Sequence, residues 1–305
     1  MNNKLKVVTL VVFFALLTWG VFLLAGYNQQ APNNDGDFTV AVSIFPLQDI
    51  VKNIAGESSQ VVQVLPTGVS PHTYEPTIQD KSMLENADIV FYIGGGLDNW
   101  MIEGASEEAR LVDLSKYVNI EEDHDQEDDD ANHEHEEDPH YWLSMSIMEE
   151  LSKIIADELG VANPQNIEVY EQNSVSYIEE LKASREDLAA QLESLVNKKI
   201  ITFHGGFDYF ADDFGLEVAA TIEEFPGKEP SPAYLSEVAS VIEQNNLNAI
   251  FKEPQLSDSI ITPLAQDYGI EVYTLDPLGG VEDRLTYIEL MEYNVRTIIT
   301  ANTTQ

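Results

Sequence analysis

The sequence has no cysteine, and its 305 residues include only 15 Lys or Arg and six His. Without cysteine the chain can form no disulfide bond or thiolate metal site, so a bound metal must use imidazole, carboxylate or backbone oxygen. Asp and Glu number 54 and far exceed the basic residues, which gives a net charge of −39. This charge argues against nucleic-acid binding, which requires a basic surface. HExxH, GxSxG and phosphate-loop motifs are also absent, which removes the usual signatures of zinc proteases, serine hydrolases and nucleotide-binding enzymes.

Long apolar runs are rare too, and the one that could span a bilayer lies at the N-terminus. Two lysines precede residues 7–25, VVTLVVFFALLTWGVFLLA, an arrangement typical of a secretion signal or a membrane anchor. The run continues into LLAG, which resembles a bacterial lipoprotein signal, but Tyr27 occupies the position of the lipid-carrying cysteine. We therefore expect residues 1–27 to be a signal or an uncleaved membrane anchor, and residues 28–37 to be a polar tether.

The rest of the chain alternates short β-like runs with helical segments, which predicts an α/β fold with two lobes and mostly parallel sheets. Residues 166–196 contain no Gly or Pro and repeat apolar residues at three- and four-residue steps, which predicts one long helix. We expect an N-terminal lobe at 38–160, a rigid linking helix at 161–197 and a C-terminal lobe at 198–305. Strands are predicted at 38–45, 61–65, 88–93, 199–203, 217–221, 248–251 and 271–275, and further helices at 48–55, 77–86, from 231, and at 284–300.

One segment of the first lobe cannot contribute to a core. Residues 121–138, here called the acidic loop, hold twelve Asp or Glu and three His but no large apolar residue. Its imidazoles and carboxylates could gather zinc weakly, or the loop could be a solvated polyanion that attracts cations diffusely. The three His of this possible weak metal site are His124, His133 and His135.

The other three His lie in separate and sharply marked contexts. His72 lies in PHTYEPT after a predicted strand, His140 in DPHYWLS, and His204 at the end of the strand KKIITF, while Asp276 ends the strand EVYTL. Ligands of parallel α/β sheets bind beyond the carboxyl ends of the strands, so these residues could meet in the cleft between the lobes. Three neutral imidazoles and one carboxylate suit a tetrahedral zinc site. Taken singly, however, each His is more often a surface or hydrogen-bonding residue, and Asp before Pro is typical of a turn.

The motifs PHTYEPT, DPHYWLS, FHGGFDYF, EPSP and YTLDPLGG, in this order, resemble those of the zinc and manganese solute-binding proteins of ABC importers. The resemblance extends from about residue 39 to residue 299. It implies two α/β lobes joined by one long helix, a metal ion in the inter-lobe cleft, and delivery of that ion to an ABC permease. By position, His72, His140 and His204 match the family's His ligands, and Asp276 matches its carboxylate.

The resemblance also bears on the identity of the ion. Manganese-binding members generally have a carboxylate where this chain has His204, so the resemblance implies Zn2+, with a manganese receptor as the alternative. The expected protein is a monomeric, non-enzymatic receptor in the periplasm or on the outer face of the cell membrane, attached through its N-terminal segment. A zinc-dependent hydrolase is the main alternative from another class, since three His with an open zinc position resemble a hydrolytic site. Adhesion, a role given to some family members, finds no supporting repeat or exposed aromatic array in the sequence.

Two further expectations concern how the imidazoles bind metal. We expect zinc to compete with protons, so that its affinity falls as the pH drops through about 6.5. Tyr74, Glu75 and Glu229 are candidates to orient the imidazoles, although turn and cap formation is at least as good an explanation for them. Trp142, Phe203 and Phe207 flank the His residues and could exclude water from the site, or could simply belong to the core.

Overall fold

The computed structural model describes residues 38–118, 138–223, 230–256 and 261–303. The predicted anchor and tether, Glu229, and all but the last residue of the acidic loop lie outside these ranges, so His124, His133 and His135 do too. Within the described ranges, no helix combines the length and the apolar character that a membrane crossing requires.

The first lobe is built on a parallel sheet with the strand order β2-β1-β3-β4. The central β3, with the sequence IVFY, is buried along its whole length, as expected for a parallel strand covered on both faces. The strands are β1 (Thr39–Val42), β2 (Gln60–Gln63), β3 (Ile89–Tyr92) and β4 (Arg110–Asp113), and the helices are α1 (Phe45–Ala55), α2 (Ile78–Glu85), α3 (Trp100–Gly104) and α4 (Met145–Ala162).

Two helix starts in this lobe have clear chemical causes. Helix α1 begins at Phe45, three residues earlier than predicted, because Pro46 fits the first turn of a helix, where no backbone donor is needed. Helix α2 begins after Thr77, whose side chain accepts from the backbone of Asp80 while the Asp80 carboxylate accepts from the backbone of Thr77. This capping box fixes the segment that directly follows the PHTYEPT motif.

The predicted long helix is α5, which spans Ile167–Leu192 and is about 39 Å long at 1.5 Å per residue. It packs mainly against α4 and α1. The helix begins six residues after the start and ends five residues before the end of the linking helix predicted at 161–197. Its buried residues follow the three- and four-residue steps of one face: Tyr170, Ser174, Tyr177, Leu181, Leu188 and Leu192.

The second lobe repeats the architecture with a parallel sheet in the order β6-β5-β7-β8. Ser231 accepts from the backbone of Tyr234 and Pro232 occupies the first turn of the following helix, in agreement with the predicted start at 231. The strands are β5 (Lys199–His204), β6 (Glu217–Glu223), β7 (Ala249–Lys252) and β8 (Glu271–Thr274), and the helices are α6 (Asp208–Phe214), α7 (Pro232–Asn245), α8 (Ile261–Tyr268) and α9 (Tyr287–Thr303).

The two lobes share one large apolar core. A single cluster of buried side chains runs from Val40 in β1 through α1, α4 and α5 to β5, β7 and Ile298 in α9. Hydrogen bonds reinforce this contact: Asp49 Oδ2 in α1 accepts from Tyr287 N in α9 at 2.8 Å, and Trp142 Nε1 donates to Pro277 O at 2.8 Å. The predicted fold, two parallel α/β lobes joined by one long helix, is therefore confirmed, and its halves are packed together rather than merely linked.

Candidate metal centre

Three short backbone elements bring the three motif histidines to the same place. His72 lies in the 3-10 turn Pro71–Thr73, which follows β2 in the chain, and His140 opens the 3-10 turn His140–Leu143 just before α4. His204 is the last residue of β5 in the second lobe. Two imidazoles of the first lobe therefore meet one imidazole from a strand end of the second lobe.

The three imidazoles are close enough to share one ion. His72 Nε2 and His140 Nε2 are 3.0 Å apart, and the three ring centroids are separated by 5.1, 5.1 and 5.3 Å. One ring nitrogen from each residue lies within 4.8 Å of the others. Nitrogens bound to a tetrahedral zinc at 2.0–2.1 Å are about 3.3 Å apart, so small side-chain movements would suffice for coordination.

Burial keeps two of these imidazoles in the form that binds metal. Burial, together with the nearby His140, lowers the pKa of His72 to about 4. Burial and the other two imidazoles lower the pKa of His204 to about 3, with small opposing effects from Asp138 and the Glu223 backbone. Neither buried ring nitrogen of His204 has a well-aligned hydrogen-bond partner among the described residues. At neutral pH, His72 and His204 therefore offer lone pairs without first losing a proton.

Asp138 orients the third imidazole. Its Oδ1 accepts from the ring Nδ1 of His140 at 2.6 Å and from the backbone N of the same residue at 2.9 Å. Burial alone would raise the pKa of Asp138, but the bonds to His140 hold it below its usual range. Because the Nδ1 proton is donated to Asp138, His140 directs the lone pair of Nε2 towards His72. Metal-binding histidines commonly have their other ring nitrogen hydrogen-bonded to a carboxylate in this way.

One of the residues singled out from the sequence as an orienting group has another partner. The hydroxyl of Tyr74 donates to Asp80, which belongs to the capping box of α2, and Glu75 is exposed. Tyr74 therefore contributes to the helix cap, the explanation that the sequence left open. The signal for Asp138 was present in the DPH tripeptide, since a carboxylate two residues before a His can reach both its backbone and its ring.

The aromatic residues beside the histidines are buried. The Trp142 ring centroid lies 5.0 Å from that of His140, and Phe203 and Phe207 are almost fully covered. Trp142 also accepts from the hydroxyl of Tyr287 through its carbonyl at 2.8 Å. These side chains belong to the packed interior, and Trp142 in addition closes one side of the His group.

Among the described residues, the group of possible metal ligands consists of the three His and does not include Asp276. Its carboxylate is buried, and Oδ2 lies 3.2 Å from Nε of Arg284, whose guanidinium also covers the ring of Tyr293. Oδ1 accepts from the backbone N–H groups of Leu278 and Gly279 at 2.9 and 3.1 Å. The structure thus brings together three of the four residues matched to metal ligands, and it places the fourth in an ion pair.

Two polar residues that the sequence analysis did not select line a small cavity beside His72 and His140. The cavity has a volume of about 10 Å³, and both Glu253 and Gln255 contribute to its wall. Burial, with the nearby carboxylates of Asp276 and Glu223, raises the pKa of Glu253 to about 8. Glu253 comes one residue after β7, so the strand-end rule that selected His204 would also have selected it.

Comparison with known proteins gives a consistent result. The family described as zinc-uptake complex component A, periplasmic, matches residues 40–301. The zinc-binding lipoprotein AdcA of Streptococcus pneumoniae serotype 4 is 28% identical in an alignment 296 residues long, which covers 91% of this chain and 58% of AdcA. The manganese-binding lipoprotein MntA of Halalkalibacterium halodurans is 29% identical in an alignment 305 residues long, which covers 94% of this chain and 97% of MntA.

Solved structures agree with the fold. A crystal structure of ZnuA superimposes with a TM-score of 0.77 at 30% identity and covers 88% of this chain and all of that one. The chain spans little more than half the length of the AdcA relatives that it matches. The family match, which covers most of the sequence, and the shared two-lobe architecture show that this chain belongs to the zinc-uptake component A family, the zinc and manganese solute-binding proteins of ABC importers.

Proposed function

We propose that this protein captures Zn2+ outside the cytoplasmic membrane and delivers it to an ABC permease. The observation that carries the proposal is the convergence of His72, His140 and His204, with one nitrogen of each within 4.8 Å of the others. The relatives named as zinc-binding, AdcA, support the choice of ion, and the lipoprotein relatives support an extracytoplasmic location.

The chemistry of the site favours zinc over manganese. Imidazole nitrogen suits zinc, whereas manganese prefers carboxylate, carbonyl and water oxygens. The described ligand group contains three nitrogens and no carboxylate oxygen. Coordination by Asp276 would compete with its contact to Arg284, which adds an energetic cost to any site that depends on this carboxylate. A manganese receptor is the second candidate, because one relative of similar identity is named manganese-binding.

The protein acts by binding and release, without catalysis. The family consists of the substrate-binding components of importers, and the cavity lined by His72 and His140 has a volume of only about 10 Å³, which leaves little room for an organic substrate. As further parts of the proposal, residues 1–27 anchor a monomeric receptor to the membrane, and His124, His133 and His135 of the acidic loop collect zinc weakly.

Calorimetric titration of the purified protein with zinc and with manganese tests the proposal. We expect one tight zinc equivalent, much weaker manganese binding, and loss of the tight phase in His204→Ala. His133→Ala, in the acidic loop, is the matched control and should keep the tight phase. Equal or tighter manganese binding would favour the second candidate, and the absence of any tight metal would refute a metal receptor of either kind.

A further inference from the structure

We propose that Glu253 and Gln255 position a water molecule as the fourth ligand of the captured zinc. The inference rests on the proposed function, since it requires zinc to bind to the three histidines. It concerns the cavity beside His72 and His140, whose wall includes both of these side chains.

The sheet topology brings Glu253 to the site. Strand β7 lies between β5 and β8, and Glu253 follows β7 directly, so it emerges between the strand ends that carry His204 and Asp276. Gln255 follows two residues later and contributes to the same wall. The position next to the metal group therefore results from strand order rather than from a long flexible loop.

The cavity has the size of one small ligand. Its volume of about 10 Å³ corresponds to roughly one water molecule. Part of its lining is polar: the buried Oε1 of Gln255 has no hydrogen-bond partner among the described residues, and Glu253 is buried. A buried acceptor without a partner is costly, so this wall is suited to a hydrogen-bond donor.

A zinc-bound water supplies the complementary groups. Such a water directs a lone pair to the metal, which leaves two O–H groups to donate. The amide oxygen of Gln255 and the carboxyl group of Glu253 are two acceptors on the same wall, and three imidazoles leave one position of a tetrahedral zinc open. Asp276 does not belong to the described group of candidate ligands, and its carboxylate already contacts Arg284 and two backbone N–H groups.

The test compares the zinc affinity and coordination number of single variants. Gln255→Leu removes an oxygen that makes no hydrogen bond within the described residues, and Glu253→Leu removes the carboxyl group, whereas Glu253→Gln retains an acceptor. Glu243→Leu and Gln244→Leu, at exposed positions of α7, are matched controls. Affinity is measured by chelator competition, coordination by zinc X-ray absorption, and folding by circular dichroism.

We expect Gln255→Leu and Glu253→Leu to bind zinc about 10–100-fold more weakly, as loss of groups that orient a ligand typically does. Their absorption spectra should show fewer or more distant oxygen neighbours at zinc. Glu253→Gln should restore most of the affinity, which a merely space-filling role would not explain, and the α7 variants should match the unmodified protein.

Unchanged affinity and unchanged coordination in Gln255→Leu and Glu253→Leu would overturn the inference. So would loss of the fourth neighbour in Asp276→Asn, because Asp276 would then be the oxygen ligand. The unmodified protein distinguishes this failure from a wrong function: if it binds no zinc, the proposed function fails, and if it binds zinc with four neighbours that ignore these residues, only the present inference fails.

Discussion

The depressed pKa values of two histidines predict an unusual tolerance of zinc binding to acid. Three imidazoles with an ordinary pKa of about 6.5 would each take up a proton below that pH, and zinc would have to displace all three. The zinc association constant would then fall by roughly 3.6 orders of magnitude between pH 6.5 and pH 5. With the pKa of His72 at about 4 and that of His204 at about 3, both residues remain unprotonated at pH 5.

The expected loss is therefore at most that of one imidazole. Between pH 6.5 and pH 5, zinc affinity should fall by no more than about 1.5 orders of magnitude, and it should fall steeply only below about pH 4. The sequence-based expectation was that protonation would reduce zinc affinity near pH 6.5. For His72 and His204 we now expect this reduction at a lower pH. The physical reason is that burial disfavours the charged imidazolium, and neighbouring imidazoles would repel it.

Chelator competition from pH 7.5 to pH 5, corrected for the chelator's own protonation, measures this slope. Calorimetry in two buffers of different ionisation enthalpy counts the protons released, and we expect no more than one per zinc at pH 5.5. A slope near three, or release of three protons, would refute the reasoning from burial.

Three further predictions concern the neighbours of the site. Asp138→Asn should weaken zinc binding about 10–100-fold, because His140 loses the carboxylate that orients it. Asp157→Asn, on the exposed face of α4, should leave zinc affinity unchanged, and equal affinities of the two variants would contradict the role of Asp138. Arg284→Gln should lower the free energy of unfolding by about 3–5 kcal/mol in urea titrations, because it leaves the Asp276 carboxylate buried without its cation. A change below about 1 kcal/mol would show that the ion pair is not needed for stability. Deletion of residues 121–137 should remove weak zinc equivalents in calorimetry and leave the tight one, so loss of the tight equivalent would refute the separation of the two sites.

Much of the architecture could be predicted because the parallel strands are short, buried and apolar. The run IVFY of β3 and the regular spacing in α5 are local signals that packing reinforces. Strand β4, with the sequence RLVD, was missed because two of its four residues are exposed and it contains only two apolar positions. Helix α4 was not assigned either, although its Ser144 cap and apolar face are readable in retrospect.

The candidate site was less predictable where it depends on pairs that are distant in sequence. That three motif histidines meet follows from strand ends and the family resemblance, both present in the sequence. That Asp276 pairs with Arg284 depends on how the turn between them closes, with Val281 and Arg284 bridged and Gly280 N donating to the carbonyl of Arg284. No spacing rule in the sequence indicates the partner of a buried carboxylate, because both a metal ion and a guanidinium group can neutralise its charge.

If the protein is the proposed zinc receptor, the core shared by both lobes limits how a permease can recognise its loaded form. A receptor with separate lobes can signal a bound ligand by domain closure. Here such a motion would separate buried side chains of α1, α5 and α9 that pack in one core. Two of the three imidazoles lie on short turns, of which His140–Leu143 is buried and Pro71–Thr73 is partly exposed. With the lobes held together, binding of zinc would leave the outline of the molecule nearly unchanged, and the sign of occupancy at the surface would be local order in the turn Pro71–Thr73.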